Sequence, residues 1–242
     1  MKISIAQIKP IKGNILANIE SHKKFINNAL IYNVEAIFFP ELSLTGYEPE
    51  LANELATHQN DNRLDIFQEI SDKDRIIIGL GLPTKTKSKI RISMIIFEPN
   101  KPRQTYSKQQ LHSDELPYFE NGVGQIIITK DKIKIAPAIC YESLQPKHSK
   151  NAFKLGTDIY LASVAKSNNG IETAFMYYPT IAKRYSMPVL MSNCVGFCDN
   201  FLSVGKSSVW SKSGALVGQL NDKSEGILIF DTETEEVIEK IM

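Results

Sequence analysis

The sequence predicts an α/β protein built on mixed sheets, and three features carry that prediction. Short, almost wholly apolar runs such as Val34 to Phe39 read as strands covered on both faces. A segment of helical period, Ile15 to Tyr32, separates the first two strands. Later strand-like runs follow one another with only turns between them, so αβ alternation early gives way to hairpins late.

Taken in order, Lys2 to Ile8 alternates apolar and polar as a first strand. Asn14 is placed to cap the helix that follows, in which Ile15, Ile19, Ile26 and Leu30 return at helical spacing. Val34 to Phe39 runs into Glu41 and a loop marked by Gly46 and Pro49. Leu51 to Asp72 reads as one or two helices. Arg75 to Leu82 and Ile92 to Phe97 are strands joined by the basic turn Lys85 to Lys89, which reads as a solvated hairpin tip. Gln125 to Thr129 and Lys132 to Ile139 form a hairpin about Lys130 and Asp131, and its second arm ends at Cys140. The chain is then helix-like to about Gly156, a strand from Asp158 to Val164, and a helix from Glu172 to Tyr185 that Pro179 should bend or break. Pro188 to Asn193, Ser207 to Trp210, Ala215 to Leu220 and Gly226 to Asp231 supply late strands.

At 242 residues the chain is long enough for one sizeable domain, and no linker divides residues 1–242. A formal net charge of +1 gives no reason to expect nucleic acid or an anionic membrane as partner. No apolar run approaches the ~20 residues that span a bilayer, and the N-terminus lacks the apolar stretch of a signal peptide. Three cysteines form an odd set, which fits free thiols in a reducing cytoplasm.

Cys140 is the residue from which chemistry can be read. A thiol at a strand-to-helix turn is exposed at a sheet edge near a helix N-terminus, where partial positive charge favours the nucleophilic thiolate. Glu41 and Lys108 each follow a strand-like run as well. A thiolate attacks an amide carbonyl or nitrile carbon to give a thioester or thioimidate that water resolves. A carboxylate in a dry pocket can serve as base, and a lysine ammonium with a backbone N–H can stabilise the oxyanion. No cofactor or metal is needed for this chemistry.

The segments Ile37 to Tyr47, Tyr106 to His112 and Ala138 to Glu142 closely resemble the three signature regions of the nitrilase superfamily of carbon–nitrogen hydrolases. The likeness continues through Gly156 to Ile159, Ala182 to Tyr185, Asn193 to Gly196 and Gly205 to Ser208, in the right order over nearly the whole chain. The resemblance implies a four-layer α-β-β-α sandwich, usually paired into a homodimer. It also implies Glu41 as general base, Lys108 as oxyanion-side cation and Cys140 as nucleophile, with the N–H of Tyr141 as the other oxyanion donor. A second catalytic-site glutamate is implied between Lys108 and Cys140. Glu115 fits it best, in a Glu-x-x-Tyr-Phe-x-x-Gly pattern, with Glu120 as the alternative. The expected substrate is a small amide or N-carbamoyl compound. A nitrilase, an acyl-transferring enzyme and a non-catalytic binding member remain open alternatives.

Two local departures from the family bear on substrate choice: Tyr141 to Lys147 after the nucleophile, and Gln109 to His112 after the lysine. Tyr47, Tyr118, Tyr141 and Ala165 are candidate pocket residues, and Phe175 a further one, although core packing accounts for aromatic residues equally well. Cys194 and Cys198 lack the companion ligands of a metal site. His112 reads as a local or pocket-edge residue, and His22, His58 and His148 as surface positions. Gly79 to Gly81 reads as strand rather than phosphate cradle.

Overall fold

Two sheets packed face to face form the centre of the molecule, and helices cover both outer faces. The computed structural model describes residues 1–87 and 89–242. The first sheet comprises β1 (Lys2–Gln7), β2 (Ala36–Phe38), β3 (Ile77–Lys85), β4 (Ile90–Phe97), β5 (Gln104–Ser107), β14 (Gly226–Asp231) and β15 (Val237–Ile241). Their spatial order is β15-β14-β1-β2-β3-β4-β5. The second sheet contains β6 (Ile128–Lys130), β7 (Ile133–Ile139), β8 (Ile159–Val164), β9 (Val189–Asn193), β12 (Ser208–Trp210) and β13 (Leu216–Gln219), in the order β13-β12-β9-β8-β7-β6. β1, β2 and β3 run parallel, as do β7, β8 and β9, while the flanking pairs are antiparallel. A separate hairpin, β10 (Val195–Cys198) and β11 (Phe201–Val204), lies beside them.

The period of two along each strand divides the core into three layers. Ile3, Ile5, Ala36 and Phe38 face Ile135, Ile139, Leu161 and Leu190 between the sheets. Ile37 and Phe39 point the other way, onto α1 (Ile15–Leu30) and α3 (Asp65–Asp74) through Ile19, Ile26 and Phe67. Tyr160, Ala162 and Val164 back onto α4 (Pro146–Lys154) and α5 (Asn168–Tyr185) through Ala152, Ala174, Tyr178 and Ile181. The result is the α-β-β-α sandwich implied by the sequence. Hydrogen bonds also cross the inner layer: Ser163 Oγ donates to the Phe39 carbonyl and Ser192 Oγ to that of Ala6, each at 2.6 Å.

Asn14 caps α1 as predicted, its side chain accepting from Ala17 N at 3.1 Å. Leu51 to Asp72 resolves into the single turn α2 (Ala52–Leu55) and α3, which closes on Arg75 in the left-handed conformation, so β3 begins two residues beyond the expected Arg75. The Lys85–Lys89 turn does join two antiparallel strands, though Ser88 lies outside the described residues. α5 starts four residues earlier than predicted and is not broken at Pro179, because Ile171, Ala174, Tyr178, Ile181 and Ala182 anchor it to the sheet on both sides of the proline. The sequence reading did not anticipate β10, β11 and β15. Asp199, in the left-handed region at φ 46°, marks the turn of the β10–β11 hairpin.

Candidate active site

β2, β5, β7 and β8 all deliver their C-terminal ends to one edge of the sandwich. There, Lys108, Cys140 and Ala165 line a cavity of about 250 Å³, and Glu41 lies against Lys108, 2.8 Å from its Nζ. Ligand sites in α/β proteins commonly lie outside the carboxyl ends of the strands.

The chain bends sharply at two of these positions. Leu42 has φ 51° and Cys140 φ 47°, left-handed conformations that cost a non-glycine residue about 1–3 kcal/mol and persist only where the surroundings enforce them. Around Glu41 the enforcement comes from Ser43, whose Oγ accepts from Gly81 N at 3.2 Å and meets His22 Nε2 at 3.0 Å. Gly81 is required there, because a Cβ would strike the Leu42 backbone nitrogen and lie 2.7 Å from the Pro40 carbonyl. His22 is therefore a buried strut, not the expected surface residue, and burial lowers its pKa to about 4, leaving it neutral.

Around Cys140 the strut is Glu142, which sequence reasoning did not single out. Its Oε1 accepts from Ile139 N at 2.7 Å and from Tyr106 OH at 2.6 Å, and its Oε2 accepts from Gln109 N at 2.6 Å. One buried carboxyl thus ties the nucleophile turn to both sides of Lys108. Burial pushes it up to about 7, against the hydrogen bonds it accepts. His148, predicted at the surface, is also buried, between Tyr106 OH at 2.9 Å and Tyr160 OH at 2.8 Å.

Lys108 is fully buried, with Nζ donating to Glu41 Oε1 at 2.8 Å and to Glu115 Oε1 at 2.6 Å. Burial opposes its charge, but the two carboxylates outweigh burial and hold its pKa above the ordinary lysine value. Glu115 accepts further from Tyr47 OH at 2.9 Å and from His112 N at 2.7 Å. Burial and the adjacent carboxylates keep the Tyr47 phenol protonated. Glu41 Oε2, by contrast, is buried with no hydrogen-bond partner among the described residues. Burial raises the Glu41 pKa, assisted by Glu115 and opposed by Lys108.

The Cys140 thiol departs from the sequence reading. Burial and the neighbouring Glu41 push it up to about 11, against the lowering influence of Lys166 and Lys108. The five-residue 3-10 turn that follows Cys140 supplies too little dipole to reverse this. The thiol is protonated at neutral pH.

Tyr47, Tyr141 and Ala165 line the cavity as predicted, and His112 stands at its edge. Tyr118 does not line it. It projects into a neighbouring recess with Pro49, Asn53 and Leu116, because the turn that buries Glu115 and Phe119 directs the intervening tyrosine outward. Glu120 is drawn away by Arg91, 2.9 Å distant. Phe175 packs on Trp210 in the outer core. Cys194 and Cys198 are buried with their sulfurs 3.4 Å apart. Phe201 and Lys166 are cavity residues that the sequence reading missed. Lys166 was detectable as the residue just beyond a strand, where Glu41, Lys108 and Cys140 also lie.

Fold and site together define a protein of nitrilase-superfamily architecture. The chain belongs to the carbon-nitrogen hydrolase family, whose profile matches residues 2–241. Its fold matches the NitN amidase of Nesterenkonia sp. AN1 with TM-score 0.87 and 19% identity, covering 96% of this chain and 92% of that one. A variant of that amidase in complex with butyramide matches with TM-score 0.86 and 18% identity, over 95% of this chain and 89% of that one. Among curated relatives, a glutamine-dependent NAD(+) synthetase of Acinetobacter baylyi is 24% identical over 97% of this chain, which spans 44% of the synthetase. A hydrolase in the agr operon of Staphylococcus aureus is 22% identical over 98% of this chain and 93% of its own length.

Proposed function

We propose that this chain is a cysteine-dependent amidase that cleaves a small amide or N-carbamoyl compound through a thioester and releases ammonia. The observation that carries the reading is the buried Glu41–Lys108–Glu115 group, in which Glu41 keeps one carboxylate oxygen unengaged beside the Cys140 thiol. Glu41 accepts the thiol proton as sulfur attacks the substrate carbonyl, so a protonated thiol at rest is the state the mechanism requires. The oxyanion is met by Lys108 and the backbone N–H of Tyr141. Glu41 returns the proton to the leaving nitrogen, and ammonia departs. Water then attacks the thioester with Glu41 again as base, releasing the acid and restoring the thiol. Glu115 holds Lys108 in place and completes the polar wall.

The relatives, an amidase variant bound to butyramide and a synthetase dependent on glutamine, favour amides over nitriles. The same reading takes the protein to act in the cytoplasm as a homodimer. The test is ammonia release by wild type and Cys140→Ala across small amides, ureides and nitriles. Release from one amide or ureide class, abolished in the variant, is the expected result. Thioester formation with transfer to an added amine would replace hydrolysis by acyl transfer. A folded wild type that releases nothing, and whose Cys140 resists alkylation even as the pH approaches about 11, would overturn the enzymatic reading.

A further inference from the structure

Lys166 stands two residues beyond β8 and is 5% exposed, yet it belongs to the cavity wall beside Cys140. Its backbone is held firmly: the N–H donates to Asn193 Oδ1 at 2.9 Å, and the carbonyl accepts from Val204 N and Ser203 Oγ at 3.2 Å each. Gly170 leaves room for its stem, since a Cβ there would come within 3.3 Å of Lys166 Cβ. The ammonium itself has little to do. Its polar contact is with Cys140 Sγ at 4.0 Å. Among the described residues no carboxylate reaches ion-pairing distance: Glu41 and Glu115 both take Lys108, while Asp114, at the exposed mouth, takes His112 at 2.6 Å. At longer range Lys166 balances the net negative charge of the Glu41–Lys108–Glu115 group. Apart from that long contact with sulfur, its N–H donors meet no acceptor among the described residues, and buried donors are normally met.

A second feature faces the same space. α5 begins at Asn168, and its N-cap, Ser167, makes no side-chain capping bond. Ser167, Gly170 and Thr173 line the cavity, so the positive end of an 18-residue helix opens toward Lys166 and Cys140. We propose that Lys166 and the open first turn of α5 form an anion subsite that takes a carboxylate carried by the amide substrate. The proposal rests on the amidase reading above and narrows its substrate to the monoamide of a short dicarboxylic acid. The 4.0 Å between Nζ and Sγ keeps the acid short. With the scissile carbon about 3–3.5 Å from sulfur, a carboxylate on Lys166 stands roughly one to three carbons from that carbon.

The test compares succinamate with its neutral isostere succinamide in wild type, Lys166→Met and Lys166→Arg. Wild type is expected to prefer succinamate, and Lys166→Met to lower that preference about 100-fold, mainly through KM, with partial recovery in Lys166→Arg. No preference in wild type, or an equal loss on both substrates, overturns the subsite; equal loss would show that Lys166 acts on the sulfur instead. Calorimetry with succinate on Cys140→Ala, with and without Lys166→Met, reads the subsite without turnover. Binding that vanishes with the lysine supports the subsite even where no amide is hydrolysed. Absence of succinate binding to Cys140→Ala overturns it while leaving the amidase reading intact.

Discussion

The proton on Cys140 decides how the site must work. With burial and Glu41 pushing the thiol up to about 11, the mechanism proposed above has Glu41 act as base in the same step as attack on the carbonyl. Iodoacetamide alkylation of Cys140 is therefore expected to keep rising with pH toward about 11, where a depressed thiol would plateau below neutrality. Amide turnover should behave differently. Glu41 must be ionised to accept the proton, and its pKa is raised, so kcat/KM is expected to fall with acidification while the pH is still above the ordinary carboxylate range. A turnover profile flat down to that range would remove Glu41 from the base role. Glu115→Gln should lower kcat by ~10²–10³-fold in a protein that still melts cooperatively, because the Lys108 ammonium loses its second carboxylate. Tyr118→Ala, outside the cavity, should leave kcat/KM within about twofold of wild type.

At the scale of elements, the site depends on two junctions held by buried polar groups. Glu142 accepts from the end of β7 and from the Tyr106–Gln109 segment, so Glu142→Ala strands several donors at once. A loss of ~3 kcal/mol or more in urea unfolding is expected, along with impaired turnover. Gly81→Ala acts on the other junction, where the new methyl must displace the Pro40–Leu42 backbone. A shift of about 1 Å there costs ~10²-fold in rate, so kinetics should suffer more than stability. The strands bearing Glu41 and Cys140 were legible because short apolar runs ended at those residues. The β10–β11 hairpin was not: its four-residue arms carry Gly196, Cys198 and Ser203, too little alternation to read as strands. Pro179 misled in the other direction. Proline weakens a helix locally, but packing on both sides of it outweighed the missing hydrogen bond.

For the whole molecule, the four layers bring together residues from distant parts of the chain. Glu41 and Lys108 follow strands of one sheet and Cys140 a strand of the other, so the cavity exists only when both sheets pack. Turnover and global unfolding should consequently be lost over one urea transition, measured together. The outer helices expose Phe153 and Met176, the apolar side chains assigned here to the interface of the homodimer proposed above. Sedimentation of wild type is expected to give a dimer, and Met176→Glu to shift it toward monomer.

The sequence by itself carried the α/β class through local periodicity, and its resemblance to the nitrilase superfamily implied the layered architecture and marked Glu41, Lys108, Glu115 and Cys140 as site candidates, because the segments that hold them are short enough to recognise. Tertiary structure alone decided the electrostatics. Whether a thiol is charged, a histidine buried or a lysine left without an acid depends on which groups from remote segments meet and on how much water their packing excludes. Cys140 at about 11, His22 and His148 as interior struts, and Lys166 facing the cavity follow from those encounters. No neighbourhood in the linear chain encodes them.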